Sequence, residues 1–178
     1  MQIKNVIFTT SFATVTAHPD AKSDPFSVIA IHSGSSVQNS AFDAAHGGIF
    51  AGLPSQNASC DNTEEQYATF YLSEEALYLY SESDSKQEIY VDASEIGKIG
   101  YTTGTEALPR NGERAGWANN DGHLQFAGND LIACPNSIDG AWSIWASAGV
   151  DNPAGNTECV GIVSRIESSS SKGCTYTS

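Results

Sequence analysis

The apolar runs of this chain are short, and Gly, Asn, Asp or Ser interrupts each of them before a helix could be completed. That spacing predicts strands joined by tight turns. Glu64 to Leu72 is the longest helical candidate, but it holds the β-favouring run Tyr67-Ala68-Thr69-Phe70-Tyr71. Phe26 to His32 is apolar on both faces and reads as a central strand. Ile49 to Gly52, Thr69 to Leu72, Ala76 to Tyr80, Glu88 to Asp92 and Lys98 to Thr102 follow, with Ser73-Glu74-Glu75 as a hairpin turn. Further on, Trp117-Ala118 and His123 to Phe126 flank Asn119-Asn120-Asp121-Gly122. Asp-Gly is a strong hairpin signal, because both central positions tolerate φ > 0. Asp130 to Cys134 is expected to pair back through Gly128-Asn129, and Ala141 to Ala146 and Val160 to Glu167 complete the set.

About ten to twelve evenly spaced strands predict an all-β fold, a closed barrel or a sandwich. Three segments, roughly 26–53, 67–103 and 115–167, share a loose layout, which points to a β-trefoil-like barrel with the β-sandwich as alternative. The Ser168–Ser171 run and the residues beyond Cys174 are expected to be exposed and mobile.

Charge narrows the function classes. Twenty-one acidic residues against 8 basic ones give a formal net charge of −13, which repels phosphate backbones and anionic lipid. Nucleic acid and membrane are therefore not expected partners. No later stretch approaches the ~18–20 apolar residues of a membrane span, and no apolar tail for a lipid anchor is read at the C-terminus. Residues 1–17 read as a signal peptide: Lys4 is the only charge before Asp20, an uncharged stretch runs from Val6 to Ala17, and Val15-Thr16-Ala17 fits a small-residue cleavage site. Residues 18–25 would be a flexible segment, and 26–178 a single domain.

Four cysteines, Cys60, Cys134, Cys159 and Cys174, lack metal-site spacing and read as two disulfides in an oxidising exterior. Three connectivities are open; Cys60–Cys134 with Cys159–Cys174 is the expected one. Asn57-Ala58-Ser59 is the single N-glycosylation sequon and places its loop on the surface.

For binding, aromatic rings are the best candidates, since an exposed ring stacks on the apolar face of a sugar. In Leu77-Tyr78-Leu79-Tyr80 the Leu side chains should face the core and leave Tyr78 and Tyr80 half exposed. Trp142 and Trp145, three apart on a strand, must face opposite sides. The carboxylate pairs Glu64/Glu65 and Glu74/Glu75 are sequence neighbours that point different ways, whereas a glycosidase needs two carboxyls across a cleft. No Gly-x-Ser-x-Gly elbow and no Gly-rich phosphate loop occurs. Cleavage after Ala17 would leave His18 as an N-terminal copper ligand, with His32, His46 or His123 as partner, the one redox alternative.

Several blocks resemble the fungal PhiA family of phialide and conidial wall proteins. They include Val28-Ile29-Ala30-Ile31-His32-Ser33-Gly34-Ser35, Ile49-Phe50-Ala51-Gly52-Leu53, Ser55-Gln56-Asn57-Ala58-Ser59-Cys60 and Lys98-Ile99-Gly100-Tyr101-Thr102-Thr103-Gly104. The longest are Asp130-Leu131-Ile132-Ala133-Cys134-Pro135-Asn136-Ser137-Ile138 and Gly140-Ala141-Trp142-Ser143-Ile144-Trp145. A more distant likeness, through Gly97 to Tyr101, Gly116-Trp117 and His123-Leu124, is to the C-terminal domain of PIR wall proteins, without their glutamine repeats. The resemblance implies a secreted, non-enzymatic wall protein of conidium development, in a family that includes mould allergens. No cofactor, metal or catalytic residue is implied. The expected partners are wall polysaccharide (glucan, chitin or mannan) or other wall proteins, and the alternative is a polysaccharide-active enzyme, copper oxidase or glycosidase.

Overall fold

The computed structural model describes residues 22–60, 66–82 and 86–178. The signal segment, His18 and the Glu64/Glu65 pair lie outside the described residues. Fifteen strands are described: β1 (Phe26–Ile31), β2 (Phe42–Ala45), β3 (Gly48–Ala51), β4 (Ser59–Cys60), β5 (Phe70–Ser73), β6 (Ala76–Leu79), β7 (Gln87–Asp92), β8 (Lys98–Thr103), β9 (Gly112–Glu113), β10 (Trp117–Asn120), β11 (His123–Phe126), β12 (Leu131–Cys134), β13 (Trp142–Ala146), β14 (Val160–Ser168) and β15 (Cys174–Thr175). Three short 3-10 turns are the only helical elements among the described residues.

Thirteen strands form one antiparallel sheet in the order β1-β5-β6-β7-β8-β3-β13-β12-β14-β11-β10, with β2 on β3 and β9 on β7. The ladder also returns to its first strand. β1 pairs with β14 from Phe26↔Ser168 to Ile31↔Val163. The inward faces meet in one cluster, where Ile89 is fully buried and Phe42, Trp117, Leu124 and Ile144 nearly so. Each such large side chain is worth about 1.5–3 kcal/mol by area removed from water. The void left between them is about 10 Å³, too small for any ligand. The interior is therefore packed, and any binding must use the outside.

Local chemistry explains most strands. Asn120 pairs with His123, and the intervening Asp121 and Gly122 take φ of 50° and 84°, the double left-handed turn that Asp-Gly favours. β12, however, does not pair back through Gly128-Asn129; its partners are β13 and β14. Only the isolated bridge Phe126↔Asn129 closes that turn. Four strands have no sequence signal. β2 carries Asp43 and two alanines, poor strand formers, yet all four of its residues are buried. Three of its side chains are apolar, and the fourth is satisfied locally: the Leu53 N–H donates to Asp43 Oδ2 at 2.8 Å. β4, β9 and β15 are two-residue ladders defined by their partners alone.

The disulfides differ from the expected pairing. Cys60 is bonded to Cys174, and Cys134 to Cys159. Both are cross-strand pairs. Cys60 faces Cys174 in the β4–β15 ladder. The β12–β14 register sets Ala133 opposite Val160, so the next residues, Cys134 and Cys159, meet at its end with Cα atoms 4.1 Å apart. The first cysteine of the chain thus meets the last, and the two middle ones meet each other.

The C-terminal residues are also not a loose tail. Tyr176 is 3% exposed. Its backbone N–H donates to Gln87 Oε1 at 2.8 Å, and Gln87 Nε2 donates to its carbonyl at 2.9 Å, so the buried amide imitates a strand neighbour. The Thr69 N–H donates to Tyr176 Oη at 3.0 Å, and the Thr177 carbonyl accepts from the Gly47 N–H and from the Tyr101 hydroxyl. Ser171 too is buried. Together with the disulfide, these bonds hold the last residues across one end of the sheet.

Two predictions follow from these contacts. In the chain-entropy account, a bridge of sequence separation 114 stabilises by about 5 kcal/mol and one of separation 25 by about 3.5 kcal/mol. Urea unfolding should therefore show a larger loss for Cys60→Ser/Cys174→Ser than for Cys134→Ser/Cys159→Ser. Burial raises the pKa of Asp43 from 3.8 to about 7, against the opposing pull of the Leu53 and Gly52 N–H groups. Between pH 4 and 7 the folded chain holds a proton at Asp43 that the unfolded chain lacks, so this group's contribution to stability is full below pH 4 and is lost as pH rises through 7. Melting curves of Asp43→Asn, which keeps an acceptor for Leu53, should lose most of that fall, a difference of roughly 3 kcal/mol at pH 8.

Candidate functional site

The β5–β6 hairpin turns through Glu74-Glu75, with Ser73 opposite Ala76 and Glu74 at φ 54°. Its register sets Phe70 against Leu79, Tyr71 against Tyr78 and Leu72 against Leu77. Side chains alternate across a sheet, so Phe70, Leu72, Leu77 and Leu79 enter the core while Tyr71 and Tyr78 share the outer face. There the two rings stack, with centroids 4.9 Å apart and planes within 12°. Tyr80 meets Tyr71 edge-on at 6.2 Å. The Lys22 ammonium lies 5.0 Å from the Tyr71 centroid and that of Lys86 lies 5.8 Å from the Tyr78 centroid. A cation at such distances is attracted by the ring face, weakly at an exposed site.

β7 supplies the polar flank. Glu88 pairs with Tyr78 across the strands, and Arg114 Nε lies 3.0 Å from Glu88 Oε2. Arg114 also donates from Nη2 to Thr102 Oγ1 at 3.0 Å. Desolvation, then the Glu88 charge and its hydrogen bond with the phenol, push the Tyr78 pKa up to about 12. The phenol therefore stays protonated at neutral pH, beside the Glu88 carboxylate. Tyr78 is thus fixed by Tyr71 beneath it and Glu88 at its tip. Beside it runs an open groove of about 380 Å³ lined by Ser73, Glu74, Glu75, Tyr78, Lys86 and Ala115. Polar donors and acceptors along a rigid aromatic ring are the arrangement that recognises a sugar.

The structure gathers Tyr78 and Tyr80 but not the two tryptophans. β7 and β8 stand between β6 and β13. Trp142 and Trp145 do face opposite sides of β13. Trp142 packs half-buried on the main core. Trp145 is 9% exposed among Ile132 and Cys134, and its indole N–H donates to Ser143 Oγ at 2.9 Å. Trp145 therefore offers no ring face to a ligand. A second open groove, about 320 Å³, lies between Asp130, Ser147 and Asp151, with no aromatic ring in its wall.

Glu74 and Glu75 occupy one solvent-facing turn rather than opposite sides of a cleft. His32 is bonded through Nδ1 to the Gly161 carbonyl, His46 sits in the β2–β3 turn and His123 opens β11 against Arg165. Among the described residues no three His, Cys, Asp or Glu side chains converge to hold a metal ion. Asn57 is exposed, with φ 49°. Tyr71, Glu88, Lys22, Lys86 and Arg114 were not foreseen as part of this site. Tyr71 was within reach, because a hairpin turning at Glu74-Glu75 places it directly opposite Tyr78.

The fold and its outer face define a disulfide-clamped all-β protein with a packed interior and an aromatic shelf on one side. The model of the PhiA-like secreted protein family matches residues 26–177. The chain is 57% identical to cell wall protein phiA of Aspergillus fumigatus, over 99% of this chain and 100% of that protein, and 57% identical to the Aspergillus niger protein of the same name over 100% of both. The Emericella nidulans protein is 51% identical, again over 100% of both chains. No solved structure matches. The chain belongs to the PhiA-like secreted protein family.

Glu88→Gln removes the charge that faces Tyr78 but not the burial. Spectrophotometric titration should then show the Tyr78 pKa falling part of the way from about 12 toward 10, with the melting temperature little changed.

Proposed function

We propose that this protein is a non-enzymatic component of the fungal cell wall that contacts wall polysaccharide (glucan, chitin or mannan) through Tyr78 and Tyr80, with the buried Tyr71 as their support. One observation carries the reading: Tyr78 is stacked on Tyr71 and also borders the open groove, with the flexible Lys86 side chain over its ring, 5.8 Å from the centroid. A pyranose ring can displace that flexible chain and stack in its place, with the groove residues bonding its hydroxyls. Relatives named as cell wall proteins support the location. Residues 1–17 serve as the secretory leader and residues 26–178 as the single wall domain, and the developmental setting is that of phialides and conidia, by family resemblance. The β1–β14 pairing supports a barrel, trefoil-like in its threefold layout, over a sandwich, whose two sheets would remain separate at their edges.

Sedimentation with insoluble glucan, chitin and mannan preparations tests the contact. The wild-type protein should co-sediment with at least one of them, and Tyr78→Ala should lower retention about fivefold or more, the worth of roughly 1 kcal/mol of ring stacking. Trp145→Phe should leave retention unchanged. If no preparation retains the folded wild-type protein, the polysaccharide contact is wrong and packing within the wall matrix is what remains.

A further inference from the structure

The disulfide topology bears on the Asn57-Ala58-Ser59 sequon. Asn57 and Ser59, the two residues that define it, are exposed, while Leu53 and Gln56 on the same segment are buried. Gln56 anchors the segment from inside, its Nε2 donating to the Tyr67 carbonyl at 3.1 Å. Asn57 is bonded only locally: the Ser55 hydroxyl donates to its Oδ1 at 3.3 Å, and that oxygen is kept when the amide nitrogen is glycosylated. The folded protein can therefore carry a glycan at this nitrogen without losing a core contact.

Timing is set by the strand that follows. β4 pairs with β15 and with no other described strand, and Cys60 within it is bonded to Cys174, 114 residues downstream. At ~5–20 residues per second, the native partner of Cys60 is not synthesised for roughly 6–23 s after Cys60 itself. Cys134 arrives sooner, but its own partner, Cys159, follows within 25 residues and closes a local bridge. Throughout that interval the sequon segment has neither a strand partner nor its covalent tie. An extended, unpaired segment is what an oligosaccharyltransferase requires.

We propose that Asn57 is an N-glycosylation site modified before the Cys60–Cys174 bridge forms, so that the adjacent cysteine does not limit its occupancy. In the transfer, the Asn57 amide nitrogen attacks the anomeric carbon of a lipid-pyrophosphate-linked oligosaccharide. The N–C bond forms, the bond from that carbon to the pyrophosphate oxygen breaks, the lipid pyrophosphate leaves with the electron pair, and the amide proton passes to a base of the transferase. The finished glycan then stands beside the β4–β15 ladder and its disulfide.

The test is glycopeptide mass spectrometry on the full chain secreted from a fungal host, counting both cell-retained and secreted protein so that misfolded variants are included. Wild-type occupancy should be nearly complete, Asn57→Gln and Ser59→Ala should abolish it, and neither Cys174→Ser nor Ser59→Thr should raise it. An unmodified Asn57 overturns the site. Wild-type occupancy that rises twofold or more in Cys174→Ser shows that the bridge competes, and overturns the timing.

Discussion

The pairing of β1 with β14 is the contact on which the architecture depends. Its register runs from Phe26↔Ser168 to Ile31↔Val163 and joins strands that lie far apart in the chain. Without it, β1 is left with one described strand-pair contact to β5, Phe26↔Phe70. With it, the run of neighbours comes back to its start and the inner faces of ten strands surround a nearly void-free centre. Closing such a ladder costs loop entropy before its contacts form, so folding is expected to be slow and cooperative. The two cross-strand disulfides and the bonds of Gln87 to Tyr176 act at the same level: each fixes a partner that local sequence does not specify.

A packed centre moves function to the surface. The surface is strongly acidic, with a formal net charge of −13. Against that background three of the few basic residues, Lys22, Lys86 and Arg114, converge on the β5–β7 face. Their roles differ. The two lysines lie over tyrosine rings, and Arg114 is paired with Glu88. These contacts pack the tyrosine rings against one another and against long side chains without burying charge.

The short period-two runs named eleven strands closely, and Asp121-Gly122 fixed its turn by itself. Tyr78 and Tyr80 were legible because alternation against Leu77 and Leu79 assigns their face. Trp145 shows the limit of that argument: alternation separates it from Trp142 but does not say that a satellite cluster with Ile132 and Cys134 covers it. β2 was illegible because Asp43 and two alanines carry no strand preference; burial by neighbours and the Leu53 N–H make it a strand.

What the sequence determined by itself is local: strand content, turn positions, the outward tyrosines, the sequon and the surplus of negative charge. These depend on φ/ψ preference and side-chain alternation, which act over a few residues. Tertiary structure alone decided which cysteines meet, that Tyr176 is locked in place by Gln87, and that Tyr71 meets both Lys22 and Tyr78. Such pairings depend on strand register across long loops, and register is set by the burial of whole faces together.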